Sequence, residues 1–422
     1  MRVVNKRWLH ALLLASVYLL GAFGIMASGS GGGGGSGADD STPDPFPDPV
    51  LKIVGAEEIV YDWTIHRCQQ DTIPDLSVHA FRDSIGQVSL PLNHLTTYRM
   101  IGPDLNSVAI DCNTPINQST ASADPSLYSD KEWLSGFYTE DGETIYALVH
   151  NEYQGHTHPG QCPQASYFPC WSNTITLSIS TNGGQTFQHA AVAPSHYVAG
   201  LPYQYEAGAG PEGTRAPSNI IKGKDGYYYN FFNVIGHYSD SQWVCLMRTN
   251  DLNDPTSWRF WDGTDFNGRF IDRYQENPVE PLDHQCTPLD QDDIGHDLAN
   301  SILFNTDMDR YVLVGISADH IDGREVWGFY YSFSHNLVDW TRRKLLVEIS
   351  LPWTVGNSGS DISHLYPSLL DPDSASLSFD TVDEFAYLYF TRHNFGQGSL
   401  DRDLIRVPVR FFPSEEAYQD SL

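Results

Sequence analysis

Ser180-Thr181-Asn182-Gly183-Gly184-Gln185-Thr186-Phe187 closes the run Thr174 to Ile179, where β-branched and apolar residues crowd together. A run of that kind, stopped by an amide and two glycines and followed by an aromatic ring, reads as a strand entering a tight polar turn. The arrangement recurs three times: Arg99-Met100-Ile101-Gly102-Pro103-Asp104-Leu105, then Arg248-Thr249-Asn250-Asp251-Leu252 leading to Trp258, then Ser332-Phe333-Ser334-His335-Asn336-Leu337 leading to Trp340. The markers Leu105, Gly183, Leu252 and Leu337 stand 78, 69 and 85 positions apart. Similar runs lie at Val78 to Phe81, Thr144 to Val149, Tyr227 to Val234, Tyr311 to Ile316, Val326 to Phe333 and Phe385 to Phe390. No sustained helical stripe interrupts them, so the chain is expected to be all-β. About 370 residues at about 75 per repeat give about five units, with six as the alternative.

The motif Ser180-x-Asn182-x-Gly184-x-Thr186-Phe187 resembles the Asp-box of sialidases and related β-propellers, with Asn182 for the usual Asp and Phe187 for the usual Trp. Its chemistry is structural: the amide caps the turn, Gly184 takes a backbone conformation other residues resist, and Phe187 packs between strands. The turns leading to Trp258 and Trp340 look like those of five-bladed glycosidases such as arabinanases, xylosidases and fructan hydrolases. Over residues 53–412 the resemblance implies a β-propeller of four-stranded antiparallel blades around a central funnel. It also implies that the Asp-box-like turns face away from that funnel, so they speak for fold and not for catalysis.

At the amino terminus Arg2, Lys6 and Arg7 precede an apolar run from Trp8 to Met26 that ends at Ala27-Ser28-Gly29. That order reads as a signal peptide over residues 1–27, with a retained single-span anchor as the alternative. Residues 28–50 are Gly/Ser-rich and then Asp/Pro-rich, a composition that reads as a flexible linker. Residues 51–422 carry no second linker and are expected to form a single catalytic domain, secreted, periplasmic or on the cell surface. The six cysteines suit an exported chain, and the simplest pairing is Cys68–Cys112, Cys162–Cys170 and Cys245–Cys286, one of fifteen connectivities. A formal charge of −29 repels polyphosphates, so no nucleic acid partner is expected. A monomer with no membrane contact beyond the signal segment completes the expectation.

In a propeller each inner strand starts at the funnel mouth and the second strand returns there. The proposed inner strands start at Pro74-Asp75, Glu132-Trp133, Glu212 to Arg215, His296-Asp297 and Asp361 to Tyr366. The proposed second strands end near His94, His150 to Tyr153, His237, His320 and Arg392-His393. Every one of these second strands reaches a histidine, and that convergence marks a site. Hydrolysing a glycosidic bond takes one protonated and one ionised carboxyl group. Asp75 sits where the five-bladed glycosidases open their first inner strand, and the resemblance implies a base or nucleophile role. Glu152, in the cluster His150-Asn151-Glu152-Tyr153, is the candidate general acid, with Glu212 as its competitor and the charge of His150 bearing on it. Arg215 and Arg392 suit an acidic group on the sugar, Trp133 suits stacking, and His94, His237, His296, His320, Asp361 and Tyr366 complete the substrate-binding candidates.

The same parts suit a polysaccharide lyase, in which His150, Tyr153, His237 and Arg392 would act on a uronate, and a non-catalytic propeller that binds glycans. No cofactor is required for these readings. No metal centre is assigned: the His156-x-His158 pair has no third named ligand, though Asp371-Pro372-Asp373 and Asp290 to Asp293 are candidate seats for a structural calcium ion.

Overall fold

β-Branched and aromatic side chains recur at strand spacing through the chain, and strands are what they form. The computed structural model describes residues 44, 46, 48–163, 167–277, 280–355, 361–396 and 399–422. The expected signal segment and most of the expected linker lie outside the described residues. Among the described residues the α-helices are single turns, Trp63–His66, Gln291–Ile294 and Glu415–Gln419. None is long and apolar enough to cross a membrane. The all-β expectation holds.

The strands pair as successive antiparallel meanders. The first runs through Phe81–Arg82, Val88–Leu92, Thr96–Gly102 and Ala109–Asp111. The second runs through Lys131–Tyr138, Ile145–Gln154, Trp171–Ser180 and Gln188–His189. In the third, Glu212–Arg215 and Ile221–Lys222 share the first place, followed by Tyr228–Ile235, Gln242–Thr249 and Arg259–Phe260. The fourth runs through Ser301–Asn305, Arg310–Ile321, Arg324–Ser334 and Lys344–Glu348. In the last, Ser363–Leu370, Phe385–His393 and Arg402–Phe412 are completed by Val50–Ile53 and Glu58–Tyr61, which come from the other end of the sequence. The end of the expected linker is held beside this closure, where Arg310 Nη2 donates to Phe46 O at 2.6 Å and Lys344 pairs with Asp48.

Side-chain hydrogen bonds join the first strand of each meander to that of the next. Ser135 Oγ donates to Pro217 O at 2.7 Å, Asn219 Nδ2 to Ile302 O at 2.7 Å, and Leu369 N to Ser301 Oγ at 3.1 Å. Ser77 Oγ donates to Pro367 O at 3.0 Å, and the His79 ring lies between Ser135 O at 3.2 Å and Asn300 O at 3.1 Å, its single N–H donating to one of them. The links close into a cycle. The apolar residues follow the same cycle, because each cluster is shared by two consecutive meanders: Phe81, Phe137 and Phe187 between first and second, Phe232 and Trp258 between second and third, and Phe231 and Trp340 between third and fourth. Phe329 and Phe390 join the fourth to the last, and Leu90 and Tyr389 join the last to the first. Phe231 and Phe232, adjacent in one strand, enter different clusters because successive strand side chains point to opposite faces.

All four repeated motifs occupy the turn between a third and a fourth strand. In Ser180 to Phe187, Gly184 N donates to Ser180 Oγ at 2.9 Å and Thr186 N to Asn182 Oδ1 at 3.1 Å. Gly184 has φ +77°, and a Cβ there would stand 2.3 Å from the Phe81 ring. In Ser334 to Trp340, Leu337 N donates to Ser334 Oγ and Asp339 N to Asn336 Oδ1. The last meander has no such turn because its fourth strand arrives from the amino-terminal side. The three disulfides are Cys68–Cys112, Cys162–Cys170 and Cys245–Cys286, with Cα separations of 5.3, 5.9 and 6.1 Å.

Burial pushes the His79 imidazole down from 6.5 to about 4. Such a histidine is neutral in both states above its unfolded value, and below it the unfolded chain gains a proton that the native chain refuses. His79 therefore withdraws stability as the pH falls from 6.5 toward about 4. In urea unfolding, His79→Gln is expected to shrink the loss of stability over that window by ~3 kcal/mol. An identical loss in both proteins contradicts this role for His79.

Candidate functional site

Some of these strand ends meet: Asp75, His94 and Tyr366 form an ion cluster with Arg402. Arg402 pairs with Asp75 Oδ1, Tyr366 Oη donates to the same oxygen at 3.3 Å, and His94 Nε2 stands 3.7 Å from Oδ2. Burial alone pushes the Asp75 carboxyl up. The Arg402 guanidinium, then His94, His393 and the Tyr366 hydroxyl, outweigh it and hold Asp75 below the ordinary carboxylate value. Burial and then Arg402 drive His393 down to about 3, and both of its ring nitrogens lack a hydrogen-bond partner.

An aromatic relay leads from this cluster to Glu152. The His94 and Trp133 ring centroids are 5.7 Å apart, and those of Trp133 and His150 are 5.6 Å apart. His150 Nε2 lies 3.0 Å from Glu152 Oε1. Ala216 N donates to His150 Nδ1 at 3.1 Å, which makes Nδ1 the acceptor and assigns the ring proton to Nε2, facing Glu152. Gln154 Nε2 at 2.7 Å and Tyr167 Oη at 2.9 Å donate to the other Glu152 oxygen. Three donors thus converge on this carboxyl and leave one lone-pair position, on Oε1, for a proton. Burial first, then Glu152, raises the pKa of the Tyr167 phenol. Burial and then Asp75 likewise raise Tyr366, with Glu152 adding to the effect. Ala216 at φ +48° and Tyr366 at φ +59° are non-glycine residues in the left-handed region, each at the position that offers a hydrogen bond to this network.

Beside Ala216 and Tyr366 opens a cavity of about 450 Å³. Phe168, Trp171, Trp327 and Trp353 supply aromatic walls, while Arg215, Gln242, His296 and Asp297 supply polar groups. Arg215 Nη2 is tied to Gln242 Oε1 at 2.7 Å and to Asp297 Oδ1 at 3.2 Å. His296 lies 3.3 Å from Asp297 Oδ2. Trp353 is 53% exposed, so its ring is open to a ligand. Flat rings with a few fixed polar groups suit the faces and hydroxyls of a sugar.

Glu212 belongs to a different group. Ser172 Oγ donates to Glu212 Oε1 at 3.0 Å, His237 Nδ1 meets Oε2, and the His237 ring is stacked on Tyr203 at 4.3 Å. Glu152 faces Asn173 and Glu212 faces Ser172, so the two acids address opposite faces of the Trp171–Ser180 strand. Tyr203, His237 and Arg273 line a second cavity of about 400 Å³. The remaining candidates stand apart from both groups. Tyr153 donates its hydroxyl to Ala123 O at 2.9 Å and is buried against Tyr205. Arg392 is engaged by Asp403 at 2.9 Å and Asn394 at 3.1 Å. His320 is exposed near a hairpin tip opposite Glu325, and Asp361 O accepts from Gly396 N at 2.9 Å. In the stretches weighed for calcium, Asp371 Oδ1 accepts from Asp373 N and Asp290 Oδ1 from Asp292 N, both at 2.8 Å.

Sequence reasoning missed Arg402, Trp171, Gln242 and Tyr167. The first three open third strands, at the end where second strands finish, so the rule that named His94 and His150 needed only one more position per meander. Tyr167 precedes such a start within the loop clipped by Cys162–Cys170.

No family model matches the chain, and no curated protein matches it. Among solved structures it is similar to an endo-arabinase from Bacteroides thetaiotaomicron at 11% identity, over 81% of this chain and 97% of that one, with a TM-score of 0.42. A family 117 glycoside hydrolase from the marine bacterium Zobellia galactanivorans is similar at 9% identity, over 86% and 92%, with a TM-score of 0.44. So is an N-acetylgalactosamine deacetylase from F. plautii, at 10% identity over 86% and 96%, with a TM-score of 0.43. At these values the likeness assigns neither an activity nor a residue role.

Removing the cation from Asp75 leaves burial less opposed. Arg402→Gln is expected to raise the Asp75 pKa by at least about one unit, read from the pH titration of its carboxyl ¹³C resonance. An unchanged titration would show that Arg402 does not set the charge on Asp75.

Proposed function

We propose that this chain is an exported five-bladed β-propeller that hydrolyses glycosidic bonds in a poly- or oligosaccharide, with Asp75 as the ionised carboxylate. The observation that carries this reading is the Asp75 carboxylate, paired with Arg402, accepting from Tyr366 and 3.7 Å from His94, with Tyr366 also lining an aromatic-walled cavity. Five shared apolar clusters and a closed cycle of inner strands support the blade count. Three disulfides suit an oxidising compartment.

Glycoside hydrolysis joins an oxocarbenium-like transition state to two carboxyl roles. Asp75 supplies the negative charge, either attacking the anomeric carbon or activating water. Tyr366 and Arg402 orient its oxygens. Glu152, reached from Asp75 along His94, Trp133 and His150, is the acid of choice, delivering a proton from the one lone-pair position its three donors leave open. Glu212 with His237 is the competing acid on the neighbouring face. For elimination on a uronate, the Tyr153 hydroxyl is committed to a backbone carbonyl and Arg392 to Asp403, so the hydrolase is the better supported reading.

Plant, algal and bacterial polysaccharides incubated with the purified protein are expected to gain reducing ends without gaining the ultraviolet absorbance of an unsaturated uronate. Asp75→Asn and Glu152→Gln, each checked for native circular dichroism, are each expected to lose ~10²–10⁴-fold in rate. Matched gains in absorbance would make the protein a lyase. Full activity in Asp75→Asn and loss only in Glu212→Gln would move the chemistry to the second group.

A further inference from the structure

Outside both groups, three side chains without any sequence motif come together: Glu132 from the first residues of the second inner strand, His189 from the fourth strand of that meander, and His196 from the turn after it. One ligand atom from each lies within 4.8 Å of the others. His189 Nε2 is 2.5 Å from Glu132 Oε1, and the two imidazoles are stacked at 4.0 Å with an interplanar angle of 11°. Glu132 is 3% exposed and His196 is fully buried. His196 Nε2 stands 3.2 Å from Tyr128 O, an arrangement that places the ring proton on Nε2. His196 Nδ1, buried and without a hydrogen-bond partner among the described residues, is left with its lone pair free. A buried nitrogen in that state costs ~1–3 kcal/mol unless something accepts the pair.

The geometry points to a zinc-class metal site formed by Glu132, His189 and His196, with a fourth position open to water on the partly exposed side of His189. Two imidazoles and a carboxylate suit a borderline-soft divalent ion better than calcium or magnesium, which prefer all-oxygen shells. Ligands ~2.0–2.1 Å from zinc stand roughly 3.3 Å apart in a tetrahedron. Glu132 and His189 start at 2.5 Å, inside that distance, and the two imidazoles start stacked, so binding turns one ring out of the stack until both ring planes contain the ion. Metal-binding side chains are commonly aimed by a second layer of hydrogen bonds. Here Tyr128 O orients His196, and Thr120 N donates to Glu132 Oε2 at 3.2 Å. The ion would tie the start of an inner strand to the edge of the same meander and so raise its resistance to unfolding.

The test is titration of the chelator-treated protein with Zn²⁺ against a chromophoric chelator, together with the visible spectrum of the Co²⁺ form. Uptake of one equivalent per chain at ~1 µM or tighter is expected, with a Co²⁺ band that Zn²⁺ displaces and a rise in Tm of a few degrees. His189→Ala and His196→Ala should each lower the affinity at least ~10-fold, and Glu132→Gln should weaken it with the fold retained. A wild-type protein that takes up no stoichiometric Zn²⁺ and gives no Co²⁺ band would overturn the site. So would folded His189→Ala and His196→Ala proteins that bind as the wild type does. In either case the cluster is a carboxylate–imidazole pair covered by a neutral ring. Since the Co²⁺ band is read on the wild type, a variant that fails to fold does not remove the test.

Discussion

No meander in this chain can bury its apolar faces alone. Each cluster draws side chains from one sheet and from the next, so Phe231 satisfies one neighbour while Phe232 satisfies the other. The interior becomes dry only when the last sheet meets the first, through Leu90, Leu370 and Tyr389, and when Val50–Ile53 completes the final sheet along Arg402–Phe412. Closure of this cycle is the constraint on which everything else depends. The polar rungs Ser77, Ser135, Asn219 and His79 satisfy the backbone groups that the crowded inner strands turn toward one another.

Closure also creates the site. Antiparallel strands bring the start of every first strand, the end of every second and the start of every third to one end of the molecule. Residues distant in sequence meet there, as Asp75 and Arg402 do. Because that end is partly dry, a single carboxylate needs several partners, and the cations and donors around Asp75 keep its charge in place. The same crowding drives His393 neutral. An acidic protein of formal charge −29 thereby keeps two cations at this end, Arg402 held by Asp75 and Arg215, in the wall of the aromatic cavity, held by Asp297.

Much of this was legible in the residues. Four turn motifs announced four third-to-fourth strand corners, and the fifth corner was silent because the closing strand comes from the amino-terminal side. The starts of inner strands were legible too, since Pro74-Asp75 and Glu212 to Arg215 interrupt apolar patterns where chains reverse. The eight-residue separation of Cys162 and Cys170 marked one pair, and the other two, 44 and 41 residues apart, matched the simplest of the remaining choices. What escaped was partnership across the cycle. Nothing near Arg402 says that it faces Asp75, 327 positions away, and nothing near Glu132 says that it meets His189. Histidine counting marked the right end of the strands but did not separate His94 and His150, which join the Asp75 network, from His320, which its long hairpin carries to the surface. Tyr153 and Glu152 are neighbours with opposite fates because consecutive strand residues point to opposite faces.

A crystal structure of the protein soaked with an oligosaccharide it releases would decide whether the charged end of the cycle is where sugar is cut. The expected result is a sugar ring stacked on Trp353 or Trp327, with a glycosidic oxygen or anomeric carbon facing Asp75. Sugar seated on the corner turns at the opposite end, or in the Tyr203 and His237 cavity with the cavity beside Tyr366 and Trp353 empty, would contradict it.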